Sequence, residues 1–328
     1  MKSIIVDTWS KTSLSDLIHM IETVDVSDIF YFGLDEYEPP QDEIYELMKL
    51  DSLVHENNIR MHFFTSAVIT DFYKKHYNSS FNQNCIFYSF PLYFMYKEYH
   101  KKTRNDWKTD NLVDKLFIAM NRSEHAHRIE FMDSLCKHNL MNDGYISWLH
   151  QHNKKSVFDC YDGGIMKLTE FNDTLDQINV PLEFNKAAIN IVVETTPNVL
   201  FLTEKTFKSI QLKKPFIIIG CNGINSLLEQ YGFKLYRNIF NYDFDYFSNY
   251  SDRVENILEQ LKKLKNVPLE QIVDDCNEIA EYNYNHYINI IKNKKYIPDI
   301  LEYMFKLSEN DFIHYDCGIY SNIKEWLS

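Results

Sequence analysis

Residues 188–220 read AINIVVETTPNVLFLTEKTFKSIQLKKPFIIIG, and this stretch decides the fold. Ala188–Val193 is apolar except for Asn190, the pattern of a strand covered on both faces. A polar loop follows, and Thr203 stands where a side-chain oxygen would cap a new helix, which the spacing predicts from Thr203 to about Leu212. Pro215–Gly220 is a second apolar strand running into a glycine turn. Strand, helix and strand in quick succession predict a crossover between parallel strands.

The same alternation extends upstream. Lys115–Met120 reads as a strand, and residues 125–138 as a helix with Ile129, Met132, Leu135 and Cys136 on its buried face. Residues 3–7, Ile29–Phe32 and Arg60–Phe64 read as strands. Helical spacing of Leu14, Leu17, Ile18 and Ile21, then of Ile44, Leu47 and Met48, lies between them. Cys85–Tyr96 is a further apolar segment interrupted at Pro91, and Lys97–Asn111 is polar without a core-forming period. Amphipathic helices are expected at about 251–265, 269–292 and 296–307. This predicts an α/β protein of two Rossmann-like domains, 1–112 and 113–328, facing across a cleft.

Composition narrows the function classes. The 328 residues are 45% hydrophobic and 25% charged, a folded balance, with 23 Tyr, 23 Phe and only 8 Gly and 8 Pro. A net charge of −13 argues against a large nucleic-acid footprint, which needs clustered cations to replace counterions. Lys74, Lys75, Lys97, Lys101, Lys102, Arg104 and Lys108 are the candidates for a local basic groove. Six scattered cysteines without a CxxC pair suggest neither zinc nor a disulfide framework, hence a reducing compartment. The apolar run at the N-terminus is short for a signal peptide, and no stretch approaches the roughly 18 apolar residues of a membrane span. A cytoplasmic location and no membrane span are expected.

The helix expected at Thr203 concentrates chemistry. Its first free N–H groups and positive dipole end form an anion site. Lys205 adds a point charge suited to a diphosphate, and Glu204 an acceptor-only carboxylate suited to the two hydroxyls of a ribose. Taken alone, both residues are ordinary charges at a solvated helix start.

The frame around them resembles a known pattern. Glu194, then Thr203-Glu204-Lys205, then Lys214–Gly220 are similar to the sugar-nucleotide motif of α1,3-fucosyltransferases and, more loosely, of exostosin-like GT-B enzymes. In that motif an acidic residue after a strand precedes a Thr-Glu-Lys helix start and a Pro-containing strand ending in glycine. Phe117–Ser123 followed by His127-Arg128-Ile129 resembles the opening of the nucleotide domain in the same group, where an arginine at the helix start meets the donor phosphates. Arg128 falls there, placed by the pattern on the polar side of the helix, with Asn121 and Arg122 at the strand's end. The resemblance covers roughly residues 113–245; the N-terminal part shows no comparable match.

The resemblance implies a GT-B glycosyltransferase with a nucleoside-diphosphate sugar as donor, bound by Asn121, Arg122, Arg128, Glu194, Thr203, Glu204 and Lys205. It implies no cofactor and no required metal, since Lys, Arg and helix dipoles meet the donor charge. A surface glycan is the expected acceptor. Hydroxymethylated bases of viral DNA are an alternative acceptor, and an inactive nucleotide- or glycan-binding scaffold is a second alternative. An inverting transfer needs a general base, for which Asp35 and Glu38 in the loop after the second strand are candidates, Glu38-Pro39 faintly resembling the Glu-Ser-Pro of fucosyltransferases. Asp243-Phe244-Asp245 has the D-x-D form of metal-diphosphate sites but is read as a loop; His125 and His127 flank the donor site and are read as structural.

Overall fold

The computed structural model describes residues 2–7, 14–23, 25–32, 41–65, 85–89, 112–121, 125–148, 165–166, 183–296, 298–306 and 312–314. The chain divides into two units, one of Met1–Lys97 with Ile290–Ser328 and one of Glu98–Asn289. The α/β class and parallel sheets expected from the alternation are those observed.

In the first unit β1 (Lys2–Asp7), β2 (Val26–Phe32), β3 (Arg60–Thr65) and β4 (Cys85–Ser89) lie side by side in chain order, all parallel. The crossovers carry α1 (Leu14–Thr23) and α2 (Gln41–Glu56). Ile4, Ile29, Met61 and Phe63 on one sheet face pack with Leu17, Ile18 and Val54 of the helices into a buried core. The opposite face explains part of the aromatic excess. Register puts Phe32 beside Phe64 and Phe64 beside Tyr88, with ring centroids 4.7 and 5.1 Å apart, so cross-strand stacking bridges three strands.

The second unit contains β5 (Lys115–Asn121), α3 (Ala126–Lys137), β6 (Gly144–Trp148), β7 (Ile165–Met166), a short α4 (Glu183–Lys186), β8 (Ala187–Val193), α5 (Glu204–Gln211), β9 (Phe216–Ile219) and α6 (Ile224–Gln230). Two longer helices, α7 (Tyr250–Leu264) and α8 (Leu269–Lys292), follow. The parallel sheet runs β7-β6-β5-β8-β9. The chain therefore moves outward from β5 in one direction and restarts at β8 in the other, and the carboxyl ends of these two strands flank the switch point, where open α/β sheets bind ligands. Every residue of β8 is buried, including Asn190, whose amide nitrogen donates to Ser209 Oγ of α5 at 2.7 Å.

α5 stops where Lys213 adopts a left-handed φ of 52° and the Lys214 N–H bonds back to the Ser209 carbonyl. At the far end of β9, Gly220 sits in close quarters: a Cβ there would lie 3.3 Å from Glu194 Cβ and 3.0 Å from Ile224 Cδ1, tight contacts that the neighbours would have to relieve.

Residues 290–328, grouped above with the second domain, belong with the first. α9 (Asp299–Lys306) buries Leu301 and Met304, and β10 (Phe312–His314) adds to the free edge of β1, pairing Ser3 with Phe312 and Ile5 with His314. Three paired residues leave no periodic signal to read. Among the described residues, no helix is long and apolar enough to cross a membrane.

Candidate functional site

The switch point is furnished by two helix starts. After β8, Glu194 turns its side chain inward, fully enclosed. Its Oε1 accepts the Thr203 N–H at 3.1 Å and the Thr206 hydroxyl at 2.7 Å, and its Oε2 accepts the Thr203 hydroxyl at 2.5 Å. Thr203 caps α5 as expected, accepting from the Lys205 N–H at 3.3 Å. The Lys205 ammonium donates to Thr195 Oγ1 at 2.9 Å and Thr203 Oγ1 at 3.2 Å. It lies 3.5 Å from Glu204 Oε1 and 3.9 Å from Glu194 Oε2. Lys205 and Glu204 keep 24% and 20% of their side chains exposed, so both are open to a ligand.

After β5, α3 begins at His125, which contributes no side-chain cap. The His125 and His127 rings stack with centroids 5.7 Å apart, and Tyr250 of α7 meets His127 edge-on at 5.6 Å. His127 Nε2 lies 3.0 Å from the Glu194 carbonyl. A carbonyl only accepts, so that nitrogen carries the proton. Burial pushes His127 down to about 4; the hydrogen bond to the Glu194 carbonyl opposes this, while the charges of Arg128 and Lys205 add to it. Burial also lowers His125, again with Arg128 and Lys205 contributing. The charges of Arg128 on α3 and Lys205 on α5 both act in the same direction on these two histidines. Burial by itself would raise the Glu204 carboxyl, but the charges of Lys205 and Lys208 outweigh it and hold the group below its usual value.

Several expectations change. Arg128 is not on a polar helix face: it is 3% exposed and shares the buried side of α3 with His127, Phe131, Met132 and Leu135, while Ile129 and Cys136 are only partly covered. The helix is covered by α7, whose Ser251 hydroxyl meets the Glu130 carboxylate, and this rotates the buried stripe away from the one its apolar residues define. Asn121 is buried at the end of β5, its N–H donating to Ser147 Oγ at 3.2 Å and its Oδ1, among the described residues, without a hydrogen-bond partner. The Glu194 carboxylate, expected at the donor, is engaged by Thr203 and Thr206. Arg122, Asp35 and Glu38 lie outside the described residues.

Asp243-Phe244-Asp245 forms a single helical turn rather than an open acidic loop. Asp245 is buried; its Oδ1 accepts from the Asn225 N–H and side-chain amide at 3.1 and 2.8 Å, and its Oδ2 from the Ser226 N–H and hydroxyl, both at 2.9 Å. Both oxygens are committed to capping α6 from a distance in sequence.

Arg253 of α7 closes the wall. Its Nε donates to the Gly220 carbonyl at 3.1 Å and its Nη1 to the carbonyls of Phe247 and Ser248 at 2.6 and 3.2 Å, tying α7 to the end of β9. Nothing local in the sequence marks Tyr250 or Thr206, whose partners His127 and Glu194 lie on other elements, or the bond from Arg253 to Gly220. Among the described residues, no group of three or more His, Cys, Asp or Glu is placed to hold a metal ion.

No family model and no curated protein matches this sequence. Solved structures of similar fold include a UDP-forming α,α-trehalose-phosphate synthase from Burkholderia xenovorans, 10% identical over 88% of this chain and 71% of that one, with a TM-score of 0.46. An α1,3-fucosyltransferase is 11% identical over 85% of this chain and 90% of its own, with a TM-score of 0.35. The glycotransferase of kitacinnamycin is 7% identical over 90% and 98%, with a TM-score of 0.37. Each likeness is one of overall fold.

Proposed function

We propose that the chain is a nucleotide-sugar-dependent glycosyltransferase whose second unit holds the donor at the β5–β8 switch point. The observation that carries this reading is the joining of two helix starts at Glu194: its carbonyl accepts from His127 Nε2 at 3.0 Å, beside Arg128, and its carboxylate holds Thr203, whose hydroxyl accepts from the Lys205 ammonium at 3.2 Å. Two helix N-termini and two cations at the carboxyl edge of a parallel sheet suit a diphosphate. The ionised Glu204 beside them suits a ribose diol. In this reading Lys205, Arg128 and the capped start at Thr203 stabilise the leaving diphosphate as charge develops on it, with Asn121 and Arg122 completing the donor site. Donor binding then needs no metal. The proposed acceptor is a hydroxyl of a surface glycan, with Asp35 or Glu38 as the base that takes its proton.

A thermal-shift series with nucleoside diphosphates and their sugars tests this on the wild type, Glu204→Ala and Lys205→Ala. Both side chains are partly exposed, so both variants retain the fold. A ligand at a hundredfold excess over Kd adds about 2.7 kcal/mol to the native state. A shift with one nucleotide, lost in both variants, is the expected result. No shift with any nucleotide overturns the reading.

A further inference from the structure

The geometry points to Glu194 as a positioning residue that holds both helix starts in register for an anion without touching it. This rests on the donor-site reading above. Its carboxylate is fully enclosed and accepts three hydrogen bonds, from the Thr203 N–H, the Thr203 hydroxyl and the Thr206 hydroxyl. The Thr203 hydroxyl is the donor in the bond to Glu194 Oε2, and this fixes the direction of the next bond. Thr203 Oγ1 must point its proton at Glu194, so its lone pairs face Lys205 and accept from both the Lys205 N–H and its ammonium. The ammonium's other hydroxyl partner is Thr195, the residue after Glu194. The Glu194 backbone carbonyl meanwhile accepts from His127 Nε2 and pins the first turn of α3, next to Arg128. One residue therefore sets the place of both cations, through its side chain on α5 and its main chain on α3.

Two other roles are open to a buried carboxylate here. One is ligand contact, for which its oxygens would have to release Thr203 and Thr206. The other is support of the fold alone, which would leave ligand affinity untouched. Glutamine separates them. Nearly isosteric, it replaces one acceptor oxygen with a donor. If that donor faces Thr203 Oγ1, the hydroxyl must accept from it and gives up a lone pair that now serves Lys205. If it faces the other way, it opposes the Thr203 N–H.

The experiment is titration calorimetry with the nucleoside diphosphate that the wild type binds and, separately, with inorganic pyrophosphate, alongside melting curves. Glu194→Gln is expected to weaken both ligands by about tenfold or more, the scale of one charge-assisted contact. Thr203→Val should do the same, and Thr203→Ser, which returns the hydroxyl, should recover affinity; a merely structural role would not produce this rescue. A folded Glu194→Gln protein with affinities within about twofold of wild type overturns the inference. Loss of the nucleoside diphosphate with pyrophosphate affinity retained also overturns it, in favour of direct contact with the nucleoside. Should Glu194→Gln fail to fold, the Thr203 pair decides: equal affinities for Val and Ser overturn it. A wild type that binds neither ligand removes the donor-site reading, and this inference falls with it.

Discussion

Replacing Asp245 by alanine distinguishes a capping carboxylate from a metal ligand. The side chain is buried and accepts four hydrogen bonds, two from main-chain N–H groups at the start of α6 and two from the side chains of Asn225 and Ser226. Loss of a capping side chain costs about 0.5–2 kcal/mol. Each buried donor left without a partner costs about 1–3 kcal/mol. The Ser226 hydroxyl is free to rotate to another acceptor and the bonds are not additive, so we expect about 4 kcal/mol for Asp245→Ala. Asp245→Asn keeps one acceptor oxygen and should cost about half as much, near 2 kcal/mol. Asp243 is exposed and, among the described residues, exchanges bonds only with neighbouring Asn241. Its alanine variant should change stability by less than about 0.5 kcal/mol. For a unit of this size a loss of 4 kcal/mol lowers Tm by about 8–16 °C, well resolved by scanning calorimetry. The measurement is repeated with Mn²⁺, because a metal bound by the native state raises Tm. Equal costs for the two aspartates, or a Mn²⁺ stabilisation that vanishes with Asp245, would refute the capping argument.

Two further predictions rest on packing and protonation. Gly144 at the start of β6 pairs with Phe117, and a Cβ there would stand 2.2 Å from Phe117 Cε2, so Gly144→Ala should lose about 1–3 kcal/mol in urea unfolding; an unchanged midpoint would show that the ring can yield. His127 has its pKa depressed to about 4 in the folded state, so as pH falls below about 6.5 the unfolded chain takes up a proton that the native one refuses. The contribution of His127 to stability is therefore lost from about pH 6.5 down to about 4, by roughly 3 kcal/mol, and does not change further below. His127→Gln keeps a donor for the Glu194 carbonyl and should lack this limb; parallel pH curves for the two proteins would count against a buried neutral ring.

Legibility in the sequence followed the range of the interaction. The apolar run of β8, the four isoleucine-rich residues of β9 and the amphipathic α7 and α8 were readable because their signals are periodic and contiguous. Thr203 was readable as a cap because its partner, the Lys205 N–H, is two residues away. β6 and β7 were not read: five residues opening on glycine, and two residues, carry too little pattern. α6 went unread for a related reason, since its capping carboxylate comes from Asp245, some twenty residues downstream. The buried side of α3 was misjudged because hydropathy places arginine outward, whereas α7 packs on the helix and Arg128 is buried.

By itself the sequence determined that the chain alternates strands and helices, where a strand gives way to a capped helix start, and which charges ride on that start. These are matters of backbone propensity and of bonds closed within a few residues. Only the tertiary structure decided that β5 and β8 are neighbours, and that His127 therefore reaches the Glu194 carbonyl and links the start of α3 to the start of α5. Strand order is fixed by which buried faces pack together across long stretches of chain, and no local pattern of residues encodes that choice.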